Sequence, residues 1–101
     1  MVIYNVTIKV KPEVADQWLG WMKEEHLSQM LATGLFVNHR MARLLDQEED
    51  EGITFVVQYE CKSLDDYEAY LSNFADEMRQ KGLTKFGDQF IAFRTLMEII
   101  E

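Results

Sequence analysis

Residues 18–45, WLGWMKEEHLSQMLATGLFVNHRMARLL, read as an amphipathic helix, a Thr-Gly stop and a strand. The helical part continues a stripe that starts upstream. Val14, Trp18, Met22, His26 and Met30 recur at every fourth position, Trp21 widens the stripe, and Lys23, Glu24 and Glu25 lie beyond it. That spacing puts one apolar face toward a core and one charged face toward water. The regular helix is predicted to loosen near His26-Leu27-Ser28. Thr33-Gly34 stops it, with Gly34 as a left-handed cap. From Leu35 to Leu45 the period changes to two, which predicts a long strand. Leu35, Val37, His39, Met41 and Leu45 make its more apolar face, with Arg43 among them. The whole stretch holds both tryptophans, both histidines and half of the four arginines, so chemistry is looked for here first.

The flanking segments cover or extend this centre. Val2 to Val10 alternates strictly, Val2, Tyr4, Val6, Ile8 and Val10 on one face, Ile3, Asn5, Thr7 and Lys9 on the other, a strand with at least one buried side. Pro12 ends it and suits the first turn of the helix that follows. Residues 46–52, DQEEDEG, place five carboxylates in six positions before a glycine. They repel one another and predict a mobile hairpin tip, with Gly52 freeing the backbone. Ile53 to Cys61 is the return strand. Ser63 with Asp66 three residues on opens a second helix, whose stripe is Leu64, Tyr67, Leu71, Phe74 and Met78 and whose end is predicted at Gly82. Gly87-Asp88 turns the chain into a last strand, Gln89 to Ile100, apolar on both faces.

The order β-α-β-β-α-β with right-handed crossovers predicts an α+β, ferredoxin-like domain over residues 1–101: a four-stranded antiparallel sheet with both helices on one face. The other face should then be polar. By parity it carries Ala42, Val56, Phe90, Ala92 and Leu96 between Asn5, Thr7, Asn38, Arg40, Gln58 and Arg94. That mix suits a wet, self-complementary interface, so a homodimer packed through the open sheet face is the predicted assembly.

Composition excludes several classes. The net charge of −8 works against binding phosphate backbones or anionic lipid, so neither a nucleic-acid nor a membrane partner is predicted. At 48% hydrophobic and 12% aromatic residues, the chain has ample material for a core. Cys61 is the one cysteine, so no disulfide closes within the chain, and a reducing cytoplasm is the expected compartment. There is no CxxC, no i, i+4 histidine pair, no Gly-rich phosphate loop and no GxSxG elbow, and no metal or cofactor is predicted.

VIYNVTI, WLGWMKEEH, LATGLFV, TFVVQYE and FIAFRTLMEI together resemble a bacterial family of about one hundred residues and of unknown function. Through it the chain resembles the dimeric α+β barrel superfamily. The resemblance implies the same fold and the same kind of dimer. The superfamily includes cofactor-independent oxygenases, isomerases, haem-handling proteins and non-catalytic members, so it implies no single chemistry. Some members carry a histidine followed two residues later by proline at the end of the first helix. Here the text is His26-Leu27-Ser28, with the histidine present and the proline missing.

The residues themselves point to a cleft between sheet and helices. His26 lies on the buried stripe of the first helix, and His39 faces the helices by parity. Both are candidate bases or ligand-orienting groups. Tyr4, Tyr59, Trp18 and Trp21 are candidate aromatic walls. Arg94, alone in an apolar strand, needs a partner: it anchors an anionic ligand, or it pairs with Glu60 or with a carboxylate across the dimer. Two functions follow. One is small-molecule binding or cofactor-free chemistry on an apolar, aromatic or enolic ligand, with a pocket of a few hundred Å³ beside His26. The other is a non-catalytic dimeric interaction module with a filled core there.

Overall fold

A computed structural model describes residues 1–101. The chain runs β1 (Val2–Val10), a 3-10 turn (Pro12–Val14), α1 (Ala15–Trp21), a π-helical segment (Met22–His26), α2 (Leu27–Ala32), β2 (Asn38–Arg43), β3 (Ile53–Cys61), α3 (Leu64–Asn73), α4 (Ala75–Phe86) and β4 (Phe90–Glu98). The sheet order is β2-β3-β1-β4 and every pair is antiparallel. This is the ferredoxin-like arrangement. The β-branched run of β1 takes the central position beside β3, and the pairs Tyr4–Tyr59, Val6–Val57 and Ile8–Phe55 point together toward the helices.

The core lies between that sheet face and the helices. Trp18, Tyr4, Tyr59, Tyr70, Met30 and Val57 are among its most completely buried side chains. Each such large apolar group stabilises the fold by roughly 1.5–3 kcal/mol relative to exposure. Tyr4 is central: its ring lies 5.3–6.2 Å from those of Phe36, Tyr59, Tyr67 and Tyr70.

Several local predictions hold. Gly34 has φ +79, and the Ser63 hydroxyl accepts the Asp66 N–H at 3.2 Å. Others are corrected. The second strand spans only Asn38–Arg43 rather than Leu35–Leu45, because Phe36 leaves the sheet line to fill the aromatic core. The second helical region breaks at Phe74 (φ −132) and then runs on to Phe86, where Gly87 (φ +60) caps it. Gly82 is therefore a helix-interior residue. Met78 is buried as its place in the stripe predicts, but Leu64 and Leu71, assigned to the same stripe, are exposed, and Tyr70, Ala75, Gly82 and Phe86 are buried outside it. The break at Phe74 resets the helical phase for α4 only.

Two further corrections concern Gly52 and the last strand. Gly52 is buried where a Cβ would lie 3.2 Å from the Val10 carbonyl and 2.8 Å from the Lys9 side chain, so close approach is what requires glycine there. The acidic tip is tied back, with Arg43 Nε donating to Glu49 at 3.0 Å. The face assignment of the last strand is also reversed. Phe90, Ala92, Arg94 and Leu96 pair with Val10, Ile8, Val6 and Tyr4, on the helix side. The open face carries Ile91, Phe93, Thr95 and Met97 instead. A strand apolar on both sides has no preferred face of its own, and a shift of one residue in register inverts all of it.

The open face is nonetheless as mixed as expected. Phe93 is 66% and Ile91 55% exposed. Across its middle runs a polar ladder in which Asn5 donates to Thr95 and Thr7, both at 3.2 Å, and accepts from Gln58 at 3.3 Å. No helix is long and apolar enough to cross a membrane.

Candidate functional site

The first helical region is where the site begins. In an α-helix, residues five apart point about 140° away from each other. The π-helical turn closes an i→i+5 hydrogen bond, seen here from the Leu27 N–H to the Met22 carbonyl. It brings position 26 back over position 21. Trp21 and His26 consequently stack, with ring centroids 4.6 Å apart and planes 26° from parallel. Such π turns recur at functional sites.

His26 then lines a slot between β1, β4 and the helices, with a cavity volume of about 60 Å³. Tyr4, Trp18, Trp21, Tyr59 and Tyr70 form aromatic walls, and Met22, Met30 and Met78 fill between them. Arg79 comes in from α4, and Arg94, itself exposed, borders the slot from β4. No carboxylate lines the slot. Of the seven site residues proposed from the sequence, Tyr4, Trp18, Trp21, His26 and Tyr59 line the slot as expected, and Arg94, assigned by parity to the open face, lines it as well because its strand face is reversed. His39 does not line it: it sits half-buried on the outer strand β2, opposite Tyr59. The volume is also well below the few hundred Å³ predicted.

Arg79 was not visible as a site residue in the sequence. It follows Met78 in a charged stretch and reads as solvated. It lies instead beside the core, its NH2 group donating to the Tyr4 hydroxyl at 3.4 Å. Tyr70 likewise lies off the predicted stripe of the second helix. Its hydroxyl meets only the Met30 sulfur, at 3.5 Å.

The polar accounting singles out this slot. Buried side-chain nitrogen and oxygen atoms are nearly always paired in folded proteins. Here two buried atoms have no partner, His26 Nδ1 and Arg79 Nε, and both residues line the same slot. The ion pairs of the chain are Arg43–Glu49 and Lys81–Glu77, so neither Arg79 nor Arg94 is neutralised. Arg94 does not pair with Glu60, which lies on the opposite sheet face, paired with Ile3.

Burial, and secondarily the charge of Lys81, lowers the His26 pKa to about 4. The imidazole is therefore neutral at pH 7, able to accept or donate one hydrogen bond at Nδ1. Burial pushes the Tyr59 and Tyr70 phenols upward, which keeps both hydroxyls protonated. Burial also raises the Cys61 thiol, whose sulfur lies 3.7 Å from the Val2 carbonyl, away from the slot. No group of three or more His, Cys, Asp or Glu side chains is placed to hold a metal ion.

A single family profile matches residues 1–100. The chain belongs to DUF4286, a domain of unknown function. Similar solved structures agree on the fold. A dimeric ferredoxin-like protein from an uncultured marine organism superposes with a TM-score of 0.79 at 10% identity, covering 99% of this chain and 95% of its own. An antibiotic biosynthesis monooxygenase matches with a TM-score of 0.69 at 16% identity over 100% of both chains. A variant of MhuD, crystallised with two manganese protoporphyrin IX molecules bound per active site, matches at 0.70 and 15% identity, covering 100% of this chain and 96% of its own. At such identities these DUF4286 neighbours share the fold alone. No curated protein matches the DUF4286 chain.

Proposed function

We propose that this DUF4286 domain binds a small planar organic anion, an aromatic carboxylate or the enol form of a keto acid, in the slot lined by His26, Arg79 and Arg94. The observation that carries this reading is that the two unpartnered buried polar atoms, His26 Nδ1 and Arg79 Nε, belong to side chains of one cavity. Leaving each unpaired costs about 1–3 kcal/mol, and a ligand offering an acceptor to Arg79 recovers that cost. Two guanidiniums without a carboxylate nearby, in a chain of net charge −8, favour an anion. The aromatic walls favour a flat, apolar body. Tyr4, Trp18, Trp21 and Tyr59 supply those walls, and Arg94 the second cation. A cavity of about 60 Å³ is smaller than the roughly 150 Å³ of a dry pocket that takes one benzene ring, so a ring enters only as the methionines lining the slot give way, and a tetrapyrrole does not fit. The bound porphyrin of the MhuD neighbour supports ligand handling by this architecture, not that ligand here.

The reading includes a homodimer through the open sheet face, supported by the exposure of Ile91 and Phe93 and by the dimeric ferredoxin-like neighbour. Its setting is the cytoplasm, where the lone thiol of Cys61 stays reduced. That apolar face also favours a second reading, a non-catalytic interaction module, in which the slot is merely imperfect packing.

Thermal unfolding with benzoate and with phenylpyruvate separates the two. Ligand at a hundred times its dissociation constant stabilises the native state by about 2.7 kcal/mol. A rise in Tm with these acids that Arg79→Met abolishes supports the anion site. No rise with either acid favours the interaction module.

A further inference from the structure

The geometry points to His26 as the base that takes a proton from the bound acid, making the slot a site of keto–enol proton transfer. This rests on the anion-site reading above and goes beyond it in naming a reaction class. Three features converge. His26 Nδ1 is buried and has no hydrogen-bond partner within the protein, so in the Nε2–H tautomer its lone pair is free for a ligand. The Trp21 stack fixes the ring plane, which confines Nδ1 to the plane that borders the slot. Arg79 and Arg94, unpaired with any carboxylate, line the same slot, where negative charge on an enolate oxygen would be stabilised.

For an aryl keto acid such as phenylpyruvate the step balances without an oxidant. The bond between carbon 3 and one of its hydrogens breaks, and the proton passes to Nδ1. The electron pair forms the carbon 2–carbon 3 double bond, and the carbonyl pair moves to oxygen, beside the guanidiniums. Return of the proton to oxygen gives the enol, and return to carbon 3 restores the ketone. The imidazolium formed in between exchanges its proton with solvent, so deuterium from D2O enters carbon 3.

The experiment follows loss of the phenylpyruvate methylene signal by proton NMR in D2O, with binding measured in parallel by calorimetry. Wild-type protein is expected to exceed buffer by on the order of 100-fold. His26→Asn, whose amide can still hydrogen-bond a ligand, should fall back to the buffer rate while calorimetry still detects phenylpyruvate binding, weakened by about tenfold at most, and Arg79→Met should lose binding. His39→Gln, outside the slot, should change neither. Binding by wild type without exchange overturns the proton transfer and leaves the anion site standing. So does exchange retained in His26→Asn. Absence of binding by wild type overturns both. Should His26→Asn fail to fold, the wild-type pH profile decides. Exchange under kcat/KM conditions must fall about tenfold per pH unit below the midpoint measured for His26 by NMR, and a profile flat across that midpoint overturns the assignment.

Discussion

The Trp21 indole lies 4.6 Å from the His26 imidazole, nearly parallel to it, although the two residues are five apart in one helical run. Only the π-helical turn makes that contact possible. The indole shields one face of the imidazole and so contributes to its burial. In Trp21→Leu the ring should gain water, and its pKa should climb from about 4 toward the ordinary value. Proton NMR titration of the two histidines, assigned with His39→Gln, checks this. An unchanged midpoint would assign the depression to Lys81 and the other walls of the slot.

Stability should depend on pH through the same group. The folded-state pKa of about 4 lies below the ordinary 6.5, so between these values the unfolded chain binds more protons than the native one. The contribution is fully present above pH 6.5 and is lost as pH falls toward about 4. Its limiting slope is about 1.4 kcal/mol per pH unit. Urea unfolding of wild type and His26→Gln across this range isolates it, because the carboxylates are common to both. The wild-type curve should be the steeper, and parallel curves would contradict the buried neutral imidazole.

Arg79 costs the fold something. A half-buried guanidinium with an orphaned Nε is poorly compensated by one long bond to Tyr4. Arg79→Met keeps the aliphatic stem and removes the charge, and should stabilise the protein by about 1 kcal/mol. It should also abolish binding of benzoate. Destabilisation together with retained binding would show that Arg79 is structural.

Gly82 separates packing from binding. A Cβ there would lie 3.6 Å from Phe90 and 3.7 Å from Trp21, in ordinary contact. Within a helix, Gly→Ala gains roughly 0.5–1 kcal/mol. Gly82 also lines the slot, so the added methyl takes space from a ligand. Gly82→Ala should therefore raise Tm while weakening phenylpyruvate binding on the order of tenfold. Equal affinity in calorimetry would move the ligand away from α4.

Phe93 tests the assembly. It is 66% exposed on the open face, opposite Thr7 in the register. A buried glutamate without a partner is strongly disfavoured in an interface. Phe93→Glu should yield a folded monomer by sedimentation, with far-UV dichroism unchanged. A monomeric wild type would remove the dimer from the reading.

How far these features were legible follows from their physical origin. The strict alternation of β1 and β3, the fourfold spacing of Val14 to Met30, the Ser63 cap and Gly34 are local signals. Each acts through backbone sterics or a nearby hydrogen bond, so the residues alone locate them. They suffice for the element order, the ferredoxin-like topology and a cleft holding His26, Trp18, Trp21, Tyr4 and Tyr59. Arg79 carried no such signal, because in the sequence it is one cation among the charges of α4.

What tertiary structure decided is phase. The face of β4 depends on its register with β1, and its residues, apolar on both sides, left that open. Past Met78, whose inward face the spacing already predicts, the burial of α4 follows the break at Phe74, after which Gly82 and Phe86 face inward and Arg79 lines the slot. The π turn at Met22–His26 is an i→i+5 hydrogen-bond pattern that no residue type demands. A shift of one residue along a strand or helix costs little locally and redirects every side chain beyond it. Only packing of the sheet against the helices selects among such shifts. The sequence by itself determined the elements and their order; tertiary packing decided which side chains meet in the slot.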